Sequence, residues 1–129
     1  MVRIQATSSL TSPDHGNYRD LQVWQRARSF AARIDRESRQ LGRGNGELAD
    51  QLRRAALSIP TNLAEGACRG RDGEFLLFIA IAIGSAGEID SLLLHAADLG
   101  ALDPRTAGEL NEDLTVIRKM LFMLRRSLQ

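Results

Sequence analysis

Between Phe75 and Ala96 an apolar residue recurs at alternating steps of four and three: Phe75, Ile79, Ala82, Ala86, Ile89, Leu93, Ala96. That period keeps one face of a helix apolar, whereas a strand would need a repeat of two. The same stretch carries a second apolar set, Leu76, Leu77, Ala80, Ile81, Ile83 and Gly84, on the opposite side. A helix that is apolar all round must be covered all round. A four-helix chain folding alone buries about one stripe per helix, so the second set predicts a homo-oligomer. The expected contact residues are Leu76, Leu77, Ala80, Ile83, Gly84 and Gly87, with the glycines allowing close approach.

Three further segments share the helical period. Trp24, Ala27, Ala31, Ile34, Ser38 and Leu41 form one seam, with Leu21 and Phe30 beside it, and Gly42 to Gly46 is expected to end that helix. A second helix starts near Glu47 and places Leu48, Leu52, Ala56, Ile59 and Leu63 on one face. Pro60 lies in its interior, where proline removes one amide donor and crowds the carbonyl of Ala56. Because Leu63 resumes the face of Ile59, the spacing predicts a kinked but continuous helix. Ser58 or Asn62 is then expected to bond backbone groups opened by the kink, and Glu65 to pair with Arg69. These residues, Ser58, Pro60, Asn62 and Glu65, read more simply as structural than as a ligand site. Gly66 and Gly70 to Gly73 close the helix, and Asp72 is placed to cap the third. Asp98 to Gly100 end the third helix, and Asp103 with Pro104 opens a fourth carrying Leu110, Leu114, Ile117, Leu121, Leu124 and Leu128.

Four such helices with short links predict an all-α, antiparallel up-down-up-down bundle over residues 18–129. Residues 1–17, rich in Ser, Thr, Pro, Gly and Asn, are expected to be a flexible tail.

The net charge of +1 conceals an uneven distribution. Residues 1–71 carry +5, residues 72–117 carry −8 and residues 118–129 carry +4, and 16 of the 17 basic residues are arginine. Planar guanidinium groups suit phosphate, although an arginine-biased coding sequence gives the same excess. In an antiparallel bundle the second and fourth helices end at the same side, so Arg69, Arg71, Arg125 and Arg126 are expected to gather there. With Arg53, Arg54, Arg118 and Lys119 they form the candidate nucleic-acid surface. The attraction of cations to helix C-termini explains the same placement without a ligand.

No catalytic constellation is visible. His15 falls in the tail, and His95 lacks the Glu-x-x-His spacing of diiron bundles, since Leu92 stands three residues before it. Cys68 has no evident histidine partner and reads as a partly buried small hydrophobe. The chain is thus expected to be no enzyme and to use no cofactor or metal. Its longest uncharged run, residues 75–87, is 13 residues, short of a membrane span, and no secretory pattern is seen, so a cytoplasmic protein without membrane contact is expected.

The stretch from Gln51 to Gly66, QLRRAALSIPTNLAEG, resembles the signature of the four-helix bundle proteins encoded by intervening sequences in bacterial large-subunit ribosomal RNA genes. That family includes the accessory variability determinants of diversity-generating retroelements. Tyr18 to Ala27, Glu74-Phe75 and Ile81 to Glu88 match further blocks, and the similarity runs from about residue 18 to the C-terminus. The loop Gly42 to Gly46 is shorter than the family's usual one. The resemblance implies a homopentameric barrel without enzymatic activity and, in retroelement members, a basic surface for nucleic acid and a reverse transcriptase. The expected function is therefore a non-catalytic oligomeric scaffold or adaptor for structured RNA or an RNA-protein complex, the alternative being a retroelement accessory factor that binds RNA or DNA and a reverse transcriptase.

Overall fold

The structure, a computed structural model, describes residues 17–129. The expected tail therefore lies outside the described residues, apart from Asn17, whose side-chain amide donates to Asp20 at 2.6 Å. A 3-10 turn over Tyr18–Asp20 leads into helices α1 (Gln22–Ser38), α2 (Gly46–Cys68), α3 (Asp72–Asp98) and α4 (Pro104–Leu128). Among the described residues there is no strand.

Cross-helix bonds give the topology. Arg26 and Arg33 of α1 pair with Asp113 and Glu109 of α4, so numbers rise on one helix as they fall on the other. Ser58 meets Ser85, and Arg69 meets Glu74, in the same antiparallel sense between α2 and α3. Each helix thus neighbours the next, and α4 closes back on α1, as an antiparallel four-helix bundle requires.

The expected seams of α2, α3 and α4 are the observed core. Leu48, Leu52, Ala56, Ile59, Leu63, all seven members of the α3 seam and all six of α4 are buried. The first seam needs correction. Trp24 and Ala31 are only half-buried, while Val23 and Phe30 point inward. Trp24 instead packs edge-on to Tyr18, ring centroids 5.1 Å apart, holding the 3-10 turn against α1.

Helix ends follow local chemistry. Asp103 accepts from the Thr106 amide at 3.0 Å and Pro104 follows it, so α4 opens as its sequence predicts. Asp72 does not cap α3; it is the first helical residue, and Arg71 holds the cap position in extended geometry. Helix α1 stops at Ser38, short of Gly42, because Gln40 and Leu41 bond the carbonyls three residues back and tighten the chain into a turn. Gly70, with φ +80°, makes the left-handed step that turns the chain from α2 into α3.

Gly66 proves to be no terminator. It is buried inside the last turn of α2, and a Cβ there would fall 2.6 Å from Cβ of Phe78 and 2.9 Å from Cδ1 of Phe75. It is a point of very close approach between α2 and α3. Helix α3 is long and apolar enough by length and composition to cross a membrane. Its inner face is core, and Glu88 and Asp90 interrupt its middle.

Candidate functional site

Helix α2 runs unbroken through Pro60, whose ring is buried. The carbonyls that receive side-chain donors around it are those of Leu57 and Ser58, and the expectation centred on the Ala56 carbonyl shifts by one or two residues. Thr61 Oγ1 donates to Leu57 O at 2.9 Å, and Asn62 Nδ2 donates to Ser58 O at 2.7 Å and to Ser58 Oγ at 2.9 Å. The Ser58 and Ser85 hydroxyls lie 2.7 Å apart, joining this polar cluster to α3. A buried hydroxyl without a partner is destabilising by roughly 1–3 kcal/mol, so the paired arrangement fixes the register of α2 on α3. Glu65 accepts from Arg69 at 2.9 Å as its spacing predicts, and Arg69 reaches on to Glu74 at 3.6 Å and over the Phe78 ring at 5.1 Å. Hydrogen bonding to Glu65 raises the Arg69 pKa above its ordinary value.

The eight cations of the candidate nucleic-acid surface divide in two. Arg53 is held by Asp50, Asp35 and the Ser38 hydroxyl, Arg69 by Glu65 and Glu74, and Arg118 by Asp90 at 3.9 Å. Arg54, Arg71, Lys119, Arg125 and Arg126 have no carboxylate partner among the described residues, and Arg125 lies over the Phe122 ring at 5.0 Å. The Arg118–Asp90 pair sets α4 against α3 so that Arg125 comes level with Ile83. That is eleven residues, about 17 Å along the helix, from Asp72 and so from Arg71. The free cations therefore form a strip along the bundle and do not gather at one end.

The candidate oligomer contact is likewise split. Leu76 and Ile83 pack partly against the core and Gly87 is half-buried, whereas Leu77, Ala80 and Gly84 are exposed. Leu77 is 66% exposed, and Ile81, one turn further along, is 50% exposed. On α4, Val116 and Met123 are exposed on either side of Lys119, a stripe that sequence reasoning missed although its steps of three and four were readable. Arg28, stacked 5.5 Å over Trp24, and Arg36 are further cations without carboxylate partners among the described residues. Cys68 is exposed, contrary to its expected partial burial, because it follows Ala67 onto the outer side of α2. No group of three or more His, Cys, Asp or Glu placed to hold a metal occurs among the described residues.

These features coincide with the blocks that carried the resemblance: the Ser58–Gly66 run and the Ile81–Glu88 run meet across one seam. A family model described as 23S rRNA-intervening sequence protein matches residues 19–123. The chain belongs to that family. The family match spans all four helices, and it ends before Arg125 and Arg126, so that last pair of cations lies beyond it. Among curated proteins no match is found.

Proposed function

We propose that this member of the 23S rRNA-intervening sequence protein family is a non-catalytic scaffold or adaptor that works as a homo-oligomer, a pentameric ring of bundles, in the cytoplasm. Its ligand is structured RNA or an RNA-protein complex, held through phosphate. The observation that carries the assembly is the exposed outer face of α3, where Leu77 and Ile81 stand one turn apart. Covering a side chain of that kind contributes roughly 1.5–3 kcal/mol when burial is complete, and a ring repeats that gain at each of its interfaces. For RNA, the supporting feature is the set of arginines without carboxylate partners among the described residues: Arg54, Arg71, Arg125 and Arg126. Arg53, Arg69 and Arg118 would have to leave carboxylates to join them. Aromatic side chains make up only 5% of the chain, so base stacking has little to work with and phosphate recognition dominates.

The test is a binding titration of the full chain against a structured RNA and a duplex DNA at rising salt, with sedimentation run in parallel. Affinity is expected to fall steeply with salt and to depend little on sequence. Replacing Arg125 and Arg126 by Ala is expected to lower the slope of log affinity against log salt by about one unit for each phosphate that the variant no longer neutralises. No complex at low salt overturns the RNA part and leaves a protein partner. Copurification with a reverse transcriptase encoded beside the gene would favour the retroelement accessory role instead.

A further inference from the structure

The outer stripe of α3 is not uniformly apolar. Leu77, Ile81 and Gly84 follow one another at steps of four and three, and the next position on that face is Glu88, which has no ion-pair partner among the described residues. Nothing lies within 4 Å of where a Cβ on Gly84 would stand, so the stripe has a notch at its centre. A second stripe, on α4, has the complementary character: Val116, Lys119 and Met123 at steps of three and four, with Met123 67% exposed and Lys119 the only lysine of the chain.

The two stripes lie on different flanks. That of α3 borders α2, as the Ser58–Ser85 contact shows, whereas that of α4 borders α1, where Gln22, Gln25, Arg26, Ser29, Asp113 and Met120 line a shallow groove. They therefore cannot meet within one bundle. A closed ring of more than two copies repeats one contact between two different surfaces of each subunit. Rotation about an axis parallel to the helices leaves every residue at its own height. The Arg118–Asp90 pair fixes those heights: Lys119 is level with Ile89, within one helical rise of Glu88, and Met123 is level with Ser85, beside Gly84.

We infer that the α3 stripe of one copy receives the α4 stripe of the next, with Lys119 facing Glu88 and Met123 entering the notch at Gly84. This rests on the ring reading above and specifies which surfaces make it. Neighbouring subunits point the same way, so α3 and the incoming α4 run antiparallel, as they do within each bundle. Lys119 thereby leaves the nucleic-acid surface and becomes an assembly residue. The methionine, with its flexible unbranched side chain, is suited to filling an irregular gap.

Charge reversal tests the pairing. In sedimentation of the full chain, Glu88→Lys alone and Lys119→Glu alone are each expected to weaken assembly at least tenfold, while the double reversal restores it; circular dichroism of each variant checks that helicity is kept. Crosslinking provides a second reading on a Cys68→Ser background. Gly84→Cys together with Met123→Cys should give a ladder of covalent oligomers on oxidation, and either substitution alone should give none. Assembly that ignores both single reversals overturns these surfaces and leaves the ring standing. Covalent dimers from Gly84→Cys alone overturn them in favour of a two-fold contact through α3. A wild-type chain that sediments as a monomer removes these surfaces and the ring together.

Discussion

The two sides of α3 are built from similar residues and meet different fates. Phe75, Ile79, Ala82, Ala86 and Ile89 on the inner side are fully buried, whereas Leu77 and Ile81, interleaved with them, are half or more exposed. Helix α2 supplies Ile59, Leu63 and Gly66, and α4 supplies Ile117 and Leu121, to one side only. Hydrophobicity along a helix therefore marks the faces that need cover, and the rest of the chain decides which of them receive it. A contrast of the same kind separates the two glycines that α3 touches or carries: Gly66 faces Phe75 and Phe78 at close range, and Gly84 faces open space.

The largest expected effect breaks the inner side. Ile79→Ala removes a fully buried side chain and leaves a cavity, so urea denaturation should show a loss of about 2–5 kcal/mol. Leu77→Ala, two residues earlier, should change the stability of the isolated bundle by no more than about 0.5 kcal/mol. Equal losses at the two sites would show that the faces are not distinct.

Next come the glycines, where the same substitution should act with opposite signs. Gly66→Ala gains about 1 kcal/mol of helix propensity but forces the Phe75 and Phe78 side chains or their backbone apart, a cost of roughly 1–3 kcal/mol, so a net loss of about 1 kcal/mol is expected. Gly84→Ala has no such opposition inside the bundle and should raise its stability to urea by up to about 1 kcal/mol in dilute conditions where copies are apart. A stabilising Gly66→Ala would mean that α2 and α3 are less tightly seated than their geometry shows.

The smallest effect concerns a flank that neither side of α3 reaches. The hydrogen bond from Arg33 holds the Glu109 carboxyl below its ordinary value of 4.5, and the Thr106 amide holds Asp103 below 3.8. Groups with lowered folded-state values stabilise the fold above the ordinary value and lose that contribution as pH falls through the lowered one. The thermal midpoint should therefore be level above about pH 5 and decline below 4.5, with Glu109→Gln flattening the first part of the decline. Both carboxyls are solvent-accessible, so the change should be small and should shrink further with added salt.

Much of this arrangement is legible in the residue spacing, because the steps of four and three in α2, α3 and α4 leave little choice of inner face. Spacing misplaces Trp24 because it satisfies the same repeat as Ala27; only the contact with Tyr18 shows that the indole is drawn outward to the 3-10 turn. Gly66 reads as a helix stop because glycine is a common stop, and the Phe75 and Phe78 rings that explain it lie on another helix. Asp72 reads as a cap by residue type, whereas cap geometry depends on the backbone of Arg71. At the candidate surface, residue type identifies the arginines, but their partners do not follow from local sequence. Arg53 finds Asp35 across a helix pair, and Arg118 finds Asp90, so cations that look free in the chain are already engaged. Ile83, expected at the oligomer contact, is partly in the core, so a charge placed there would test folding as well as assembly.

Only three residues, Arg69 to Arg71, separate the end of α2 from the start of α3, and Gly66, Arg69 and Glu74 lock the two together within a few positions of that turn. Closing so short a link takes little chain entropy and belongs to the fastest class of events available to a polypeptide. The α2–α3 hairpin is therefore the piece of this bundle that forms from neighbours in the chain. The docking of α1 against α4, whose paired residues Arg33 and Glu109 stand 76 positions apart, must wait for both ends of the molecule to be made.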